Sequence, residues 1–176
     1  VFGLSKFCCF EHAVSYSKDN KDKGYKEIAK QERREIKQAK EKLKTAGEYV
    51  KEAQAAVNRY IRARDFNKPC ISCGSMPTND GLIKGQRVDA GHFRSTGSAR
   101  HMRFNLLNIH KQCVKCNRWL SGNVVEYRVR LIERIGLERV EALENDNSLR
   151  SFNIDYLKRV KKIFNKRAKW YEKRNR

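Results

Sequence analysis

The sequence predicts an α+β chain, mostly helical, in which a small zinc-stabilised core is flanked by helices and preceded by a helical arm. Three observations predict it. Two C-x-x-C pairs, Cys70/Cys73 and Cys113/Cys116, bracket a stretch rich in Gly and Asn. Apolar residues recur near a 3.6 period on both sides of that stretch. A run of charged helix formers comes before all of it.

Composition sets the limits. The 176 residues suit one domain with an additional arm. Lys and Arg number 40 against 20 Asp and Glu, a formal charge of +20. Such a surplus in a short chain implies a polyanionic partner, nucleic acid before an anionic membrane. No apolar run approaches the roughly 20 residues of a spanning helix, and no signal peptide is legible. The cysteines are Cys8, Cys9, Cys70, Cys73, Cys113 and Cys116. Their spacing argues for metal binding in a reducing cytosol rather than a disulfide framework or a thiol redox pair.

Residues 1–20 begin apolar and aromatic. Cys9-Phe-Glu-His12 has the form of half a zinc clamp, with Cys9 and His12 as ligands, and no second half is evident. The other reading is semi-buried thiols beside a surface His. Residues 21–44 alternate Lys and Glu three to four apart, which supports a solvated helical arm. Ile28, Ile36 and Leu43 are too sparse for a core stripe, so the arm is a linker or a partner helix.

Thr45-Ala-Gly-Glu48 reads as a capping box. The helix it opens carries Tyr49, Val50, Ala53, Val57, Tyr60 and Ile61 on one face and stops before Pro69. Extended pieces are predicted at 86–93 and 104–112, separated by a polar loop. A short helix follows the second Cys pair, closed by Gly122 as its left-handed residue. Two helices then meet at Gly136. Val124, Val125, Val129, Leu131, Ile132 and Ile135 line the first; Leu137, Val140 and Leu143 line the second. Ser151 or Asn153 caps a last helix with Ile154, Leu157, Val160, Ile163, Phe164 and Tyr171 on its apolar face. From Arg150 onward 11 Lys or Arg face two acidic residues, so its other face is basic.

Two C-x-x-C pairs supply four thiolates, a closed tetrahedral set suited to structural zinc. Gly74 lets the first turn fold so that backbone N–H groups face sulfur. With every position filled by protein, that metal is not catalytic. Three of the four histidines, His92, His101 and His110, lie between or beside the pairs with Asp89, Asn108 and Asn117.

That order, a His, a loop, an Asn and then C-x-x-C-Asn, resembles the HNH or ββα-metal nucleases. "CISCGS", "DAGHFRS", "MRFNLLNIHKQCVKCNRWLSGN" and "YRVRLIERIG" resemble the phage NinG/Rap recombination nucleases over roughly residues 45–147. The resemblance implies an HNH-like domain over 45–149, with a possible partial zinc knuckle at 1–20, the charged arm at 21–44 and the basic helix at 150–176. It further implies His92 as the general base, since imidazole takes a proton near neutral pH. Asn108 would hold His92 in place through backbone groups. Asn117 stands where the family keeps its last metal ligand, and its carbonyl suits Mg²⁺ or Mn²⁺ better than zinc. Asp89 is the candidate second ligand, three residues before His92 rather than adjacent; His110 is an alternative ligand or a phosphate contact.

Arg94, Arg100 and Arg103 are either solvated loop charges or phosphate clamps. Lys111, Arg118 and Asn123 join the candidate DNA contacts, Asn123 through a helix start. The expectation is thus a metal-dependent endonuclease of branched DNA, meaning Holliday junctions and D-loops. It would be phage or prophage encoded, act in the host cytoplasm, and be a homodimer because resolution needs two cuts. A zinc-stabilised DNA-binding module without catalysis is the alternative.

Overall fold

The computed structural model describes residues 9–76 and 88–175. It divides into two compact units between Thr45 and Ala46. The first is one helix, α1 (Phe10–Lys42), with no buried residue. Local pairs support it, such as Lys30 Nζ with Glu27 Oε1 at 3.0 Å and Gln31 Nε2 with Glu35 Oε1 at 3.1 Å, each worth a few tenths of a kcal/mol. The boundary expected at residue 20 is absent, because the sequence has no breaker there and the helix runs through it. Cys9 is its extended N-cap and His12 lies in its first turn, both exposed. Cys8 lies outside the described residues.

The second unit holds α2 (Ala46–Arg64), β1 (Val88–His92), a 3₁₀ turn (Arg100–Met102), β2 (Ile109–Cys113), a π-helical turn (Lys115–Trp119), α3 (Val124–Ile135), α4 (Leu137–Asn145) and α5 (Ile154–Arg174). The chain is therefore mostly helical around a single two-stranded sheet among the described residues. Thr45 stands just before α2, and Asn153 caps α5 by accepting the Tyr156 N–H at 2.8 Å.

β1 and β2 pair antiparallel, with Val88 opposite Cys113, Asp89 opposite Gln112, Gly91 opposite His110 and His92 opposite Ile109. Both strands are shorter than the sequence suggests. Residues 86–87 lie outside the described part. Residues 104–108 are turns that return on themselves, with Asn105 N–H on Met102 C=O and Asn108 N–H on Asn105 C=O.

The pleat sends alternate residues into two different cores. Ala90 and Ile109 join Tyr49, Ala53, Val57, Ile61, Leu157, Val160 and Phe164 between α2 and α5. Phe93 joins Ile71, Met102, Tyr127, Leu131, Val140 and Leu143 with α3 and α4. In α3 the expected apolar face holds in part. Leu131 is buried and Ile132 and Ile135 pack against the same core, but Val124, Val125 and Val129 are exposed, and Tyr127 is buried in their stead. The valine count misled because the helix turns its Tyr127 stripe inward, where the phenol finds partners on both strands. Leu137, Ile154 and Ile163 are exposed as well.

The turn into α3 also departs from expectation. Ser121, Gly122 and Asn123 all have positive φ (47°, 89° and 43°), so the left-handed residue following the turn is Ser121, not Gly122 alone. The π turn makes this reversal wide: Gly122 N–H reaches Cys116 C=O at 2.9 Å. Positive φ at Ser and Asn is unfavourable, and side-chain anchors hold it. Ser72 Oγ donates to Gly122 C=O at 3.3 Å, and Gln112 Nε2 donates to the same carbonyl.

Candidate metal centre and catalytic site

The four cysteines meet as expected. Cys70, Cys73, Cys113 and Cys116 place their sulfurs within 4.8 Å of one another. Cys73 and Cys113 sulfurs are 3.8 Å apart, close to the roughly 3.8 Å edge of a tetrahedron with 2.3 Å zinc–sulfur bonds. Cys113 N–H faces Cys70 Sγ at 3.3 Å and Cys116 N–H faces Cys113 Sγ at 3.4 Å. Ser75 Oγ lies 3.0 Å from Cys73 Sγ. Donors around clustered sulfurs stabilise thiolates, so the set could hold a metal ion such as zinc. Gly74, at φ 72°, closes the first turn through its N–H to Cys70 C=O at 3.0 Å. A side chain there would meet the Arg130 guanidinium within 3.1 Å.

The centre fixes the hairpin, since Cys113 ends β2 opposite Val88. A buried carboxylate reinforces it. Asp65, fully buried, accepts two hydrogen bonds from Arg64 at 2.9 and 2.6 Å and the Lys111 N–H at 3.2 Å. Burial alone would raise its pKa; the bonds and charge of Arg64 outweigh that and hold it at about 2. Sequence reasoning passed over Arg64 and Asp65, whose only sign is a charged pair at the end of α2, three residues short of Pro69.

His92 ends β1. Its Nε2 lies 3.1 Å from the Arg103 backbone carbonyl. A carbonyl only accepts, so in the neutral ring Nε2 carries the proton and Nδ1 keeps the lone pair. Burial holds the ring below its ordinary pKa, with the Arg103 carbonyl opposing and the Arg103 charge assisting. Asn108 sits immediately before β2 and clasps the loop two residues past His92. Its Oδ1 accepts Arg94 N–H at 2.8 Å, and its Nδ2 donates to Arg94 C=O at 3.0 Å. Arg103 makes no ion pair among the described residues, and burial and Arg100 both disfavour its charge. Arg100 is exposed.

At the other end of β1, Asn117 Nδ2 donates to Asp89 Oδ2 at 2.9 Å. Arg118 donates to both oxygens of Asp89, at 2.8 and 3.1 Å. Burial would raise the carboxyl, but these bonds hold it below the usual range. Asp89 offers carboxylate oxygens of the kind that suit a hard cation, now held by the Asn117 amide nitrogen and the Arg118 guanidinium. Strand alternation puts Asp89 on the face opposite His92, three residues or about 10 Å away along the strand. The separation has a structural cause: "DAGH" inserts Ala90 and Gly91 between the two.

Four other candidates have structural employment. His110 is buried, with Nδ1 3.3 Å from Tyr127 Oη, which itself donates to Gly91 C=O at 3.1 Å. Burial first, then Arg64, pushes its pKa down to about 3. It is a core residue, not a ligand or phosphate contact, because β2 is covered on both sides. Lys111 is buried and donates to Phe66 C=O at 2.8 Å, so it does not face DNA. Arg94 gives both terminal nitrogens to the end of α4, at Leu143 C=O, Glu144 C=O, Asp146 C=O and Asn147 Oδ1. The last carbonyls of that helix need donors, and Arg94 supplies them. Asn123 is the N-cap residue of α3, but its side chain makes no capping hydrogen bond there and points Nδ2 to Cys116 Sγ at 3.8 Å. For Cys9 and His12, no third ligand type joins them in a cluster among the described residues.

Comparison with known proteins places the chain. A family model described as "NinG: Bacteriophage Lambda NinG protein" matches residues 5–174. "Protein ninG" of Escherichia phage lambda is 44% identical over 127 residues, covering 72% of this chain and 59% of that protein. The chain thus spans less than two thirds of the lambda relative. "Protein ninG" of Escherichia phage 933W is 38% identical over 180 residues, covering 96% of this chain and 86% of the relative. That of Salmonella phage P22 is 43% identical over 127 residues, 72% of this chain and 59% of the relative. No solved structure matches the chain.

Proposed function

The chain belongs to the NinG family, and we propose that it is a metal-dependent endonuclease that cuts branched DNA with His92 as general base. The observation that carries the reading is the fixed His92 ring: Nε2 pinned on the Arg103 carbonyl, its loop clasped by Asn108, beside Arg103 with no carboxylate partner among the described residues. A ring held this way keeps one lone pair, at Nδ1, aimed in a constant direction, which a base needs for proximity to count. His92 takes a proton from water at Nδ1, and Arg103 and Arg100 hold the phosphate that the water attacks. Its depressed pKa keeps the ring neutral, hence competent, at pH 7.

Zinc in the four-cysteine centre maintains the hairpin. Asp89 and Asn117 would hold Mg²⁺ or Mn²⁺ once Arg118 leaves the carboxylate and the Asn117 amide turns its oxygen inward. Bound there, the ion would supply charge stabilisation for phosphate oxygens. Two cuts per junction require two sites, so the working form is a homodimer, measurable by light scattering. The setting is the cytoplasm of a bacterial host. No helix among the described residues is long and apolar enough to cross a membrane.

A second reading is favoured by the Asp89–Arg118 ion pair and by the separation of Asp89 from His92: a zinc-stabilised DNA-binding module without catalysis. One experiment separates the two. Wild type and His92→Ala are incubated with a synthetic four-way junction and Mg²⁺ or Mn²⁺, and both binding and strand scission are read. The nuclease reading expects wild type to cut and the variant to bind equally but cut about 10² to 10⁴ times more slowly. Binding without scission by wild type selects the second reading, and equal cutting by the variant removes His92 from the role of base.

A further inference from the structure

The outer flank of α5 has no part in the site above. Nine of its 21 residues are Lys or Arg and two are acidic. One of those two, Glu172, is engaged by Arg59 at 2.7 and 2.6 Å. Leu157, Val160, Phe164 and Ala168 pack inward. On the outside, Tyr60, Ile163, Lys166, Arg167, Trp170 and Tyr171 line a shallow groove of about 550 Å³. Trp170 is 52% exposed, yet its ring is held in place. It meets Tyr171 edge-on at 4.8 Å, Tyr171 meets Tyr60 at 5.8 Å, and Tyr60 meets Phe164 of the core at 5.1 Å. Arg174 lies over the indole at 4.5 Å. Lys162, Lys166 and Lys169 are exposed and pair with no carboxylate among the described residues.

We propose that this groove binds an unpaired segment of a nucleic-acid strand, with Trp170 as the stacking platform and Lys166, Arg167 and Arg174 beside its phosphates. A large aromatic left in water forgoes its burial energy, and one already held by a chain of rings loses little freedom when a base stacks on it. Successive helical turns place Ile163, Lys166, Arg167, Trp170 and Arg174 along one flank, so cations and the stacking surface alternate at the scale of a strand. A second copy of this chain is the poorer occupant, because it would bring like charge against like charge. An unbroken duplex is poorer too, since its base faces are already stacked. The proposal rests on the nucleic-acid partner in the reading above, not on cleavage: unpaired strands at a branch are what this flank would take.

The test uses the full chain as Trp119→Phe, leaving Trp170 as the sole indole, with no added Mg²⁺ or Mn²⁺. Oligothymidylate of about 15 nucleotides is titrated in while Trp170 fluorescence is read, with a blunt duplex and a four-way junction as parallel probes. The expected result is saturable quenching by oligothymidylate and little by the duplex. Trp170→Ala, in the otherwise unaltered chain, should lose at least about fivefold in oligothymidylate affinity at unchanged thermal midpoint, and Trp170→Phe should keep most of it. Unquenched fluorescence with oligothymidylate bound, or equal affinity in Trp170→Ala, overturns the proposal. So does a dimer in wild type that Trp170→Ala converts to monomer, because the flank is then a contact between copies. The junction arm keeps the two readings apart. Binding to the junction with none to oligothymidylate sinks this inference alone; failure to bind either sinks the DNA reading. The quench should be the same in a His92→Ala background.

Discussion

The two ends of β1 carry opposite electrostatics. At its start, Asp89 is bound by Arg118 and Asn117, so charge is cancelled within the protein. At its end, His92 sits by Arg103, which Arg100 neighbours in turn, and no carboxylate among the described residues pairs with either cation. The first end resembles a stabilised surface, the second a place prepared for an anion. Three residues along one strand therefore separate internal compensation from external demand, and a surplus of Lys and Arg says nothing by itself about where a phosphate will sit. Arg94 makes the same point, an arginine like Arg103 yet committed to the end of α4.

The largest effect should come from removing what both ends share. Cys113 closes β2 opposite Val88, so Cys113→Ser should abolish metal binding and most of the fold, structural zinc being worth on the order of 10 kcal/mol to small domains. Metal analysis should find about one zinc per wild-type chain and none in the variant, with loss of helical circular dichroism. A folded, metal-free wild type would break the comparison, since neither end would then depend on a clamp.

Between the two ends lies the sealed face of β2, where His110 sharpens the contrast with His92. An unfolded imidazole titrates near 6.5, and folded His110 near 3. The unfolded chain thus takes up the proton first, so the stability from neutral, buried His110 is full above about pH 6.5 and declines as pH falls toward 3. Between pH 7 and 4.5 the loss is on the order of 2 to 3 kcal/mol. Urea unfolding at both pH values should show that loss diminished in His110→Phe; an unchanged pH slope would place His110 in contact with solvent.

The smallest effects divide the two ends directly. Arg103→Ala should weaken junction binding about five- to tenfold and reduce the salt slope by about 1. Arg118→Ala should change binding less than about twofold, because Asp89 already cancels that charge. Equal losses at the two positions would erase the distinction.

Much of this was legible in the chain. The paired cysteines and Gly74 needed only spacing, because metal geometry leaves few alternatives. α2 announced itself through its period, and α5 through its period and its Asn153 cap. The rest was hidden by context. Valines at helical spacing suggested a buried face of α3, but the phenol of Tyr127, with partners on both strands, took that place. Asn123 looked like a phosphate contact at a helix start, and its side chain faces sulfur. His110 and Lys111 looked like site residues because they neighbour Asn108, and only the helices packed on β2, α2 on one side and α3 on the other, show them buried. The sequence also aligned Asp89 with His92 without revealing that an intervening Ala-Gly turns them to opposite faces.

The most direct test of the central claim is the single-turnover rate of junction cleavage from pH 5 to 8, wild type beside His92→Ala. A neutral base is required, so the rate must fall as pH falls through the folded His92 pKa, which burial places below 6.5. The account predicts an acid limb with its midpoint below about 6.5 in wild type, and a slow residual rate without that limb in the variant. A wild-type rate that is flat across this range, or an identical limb in His92→Ala, would contradict it.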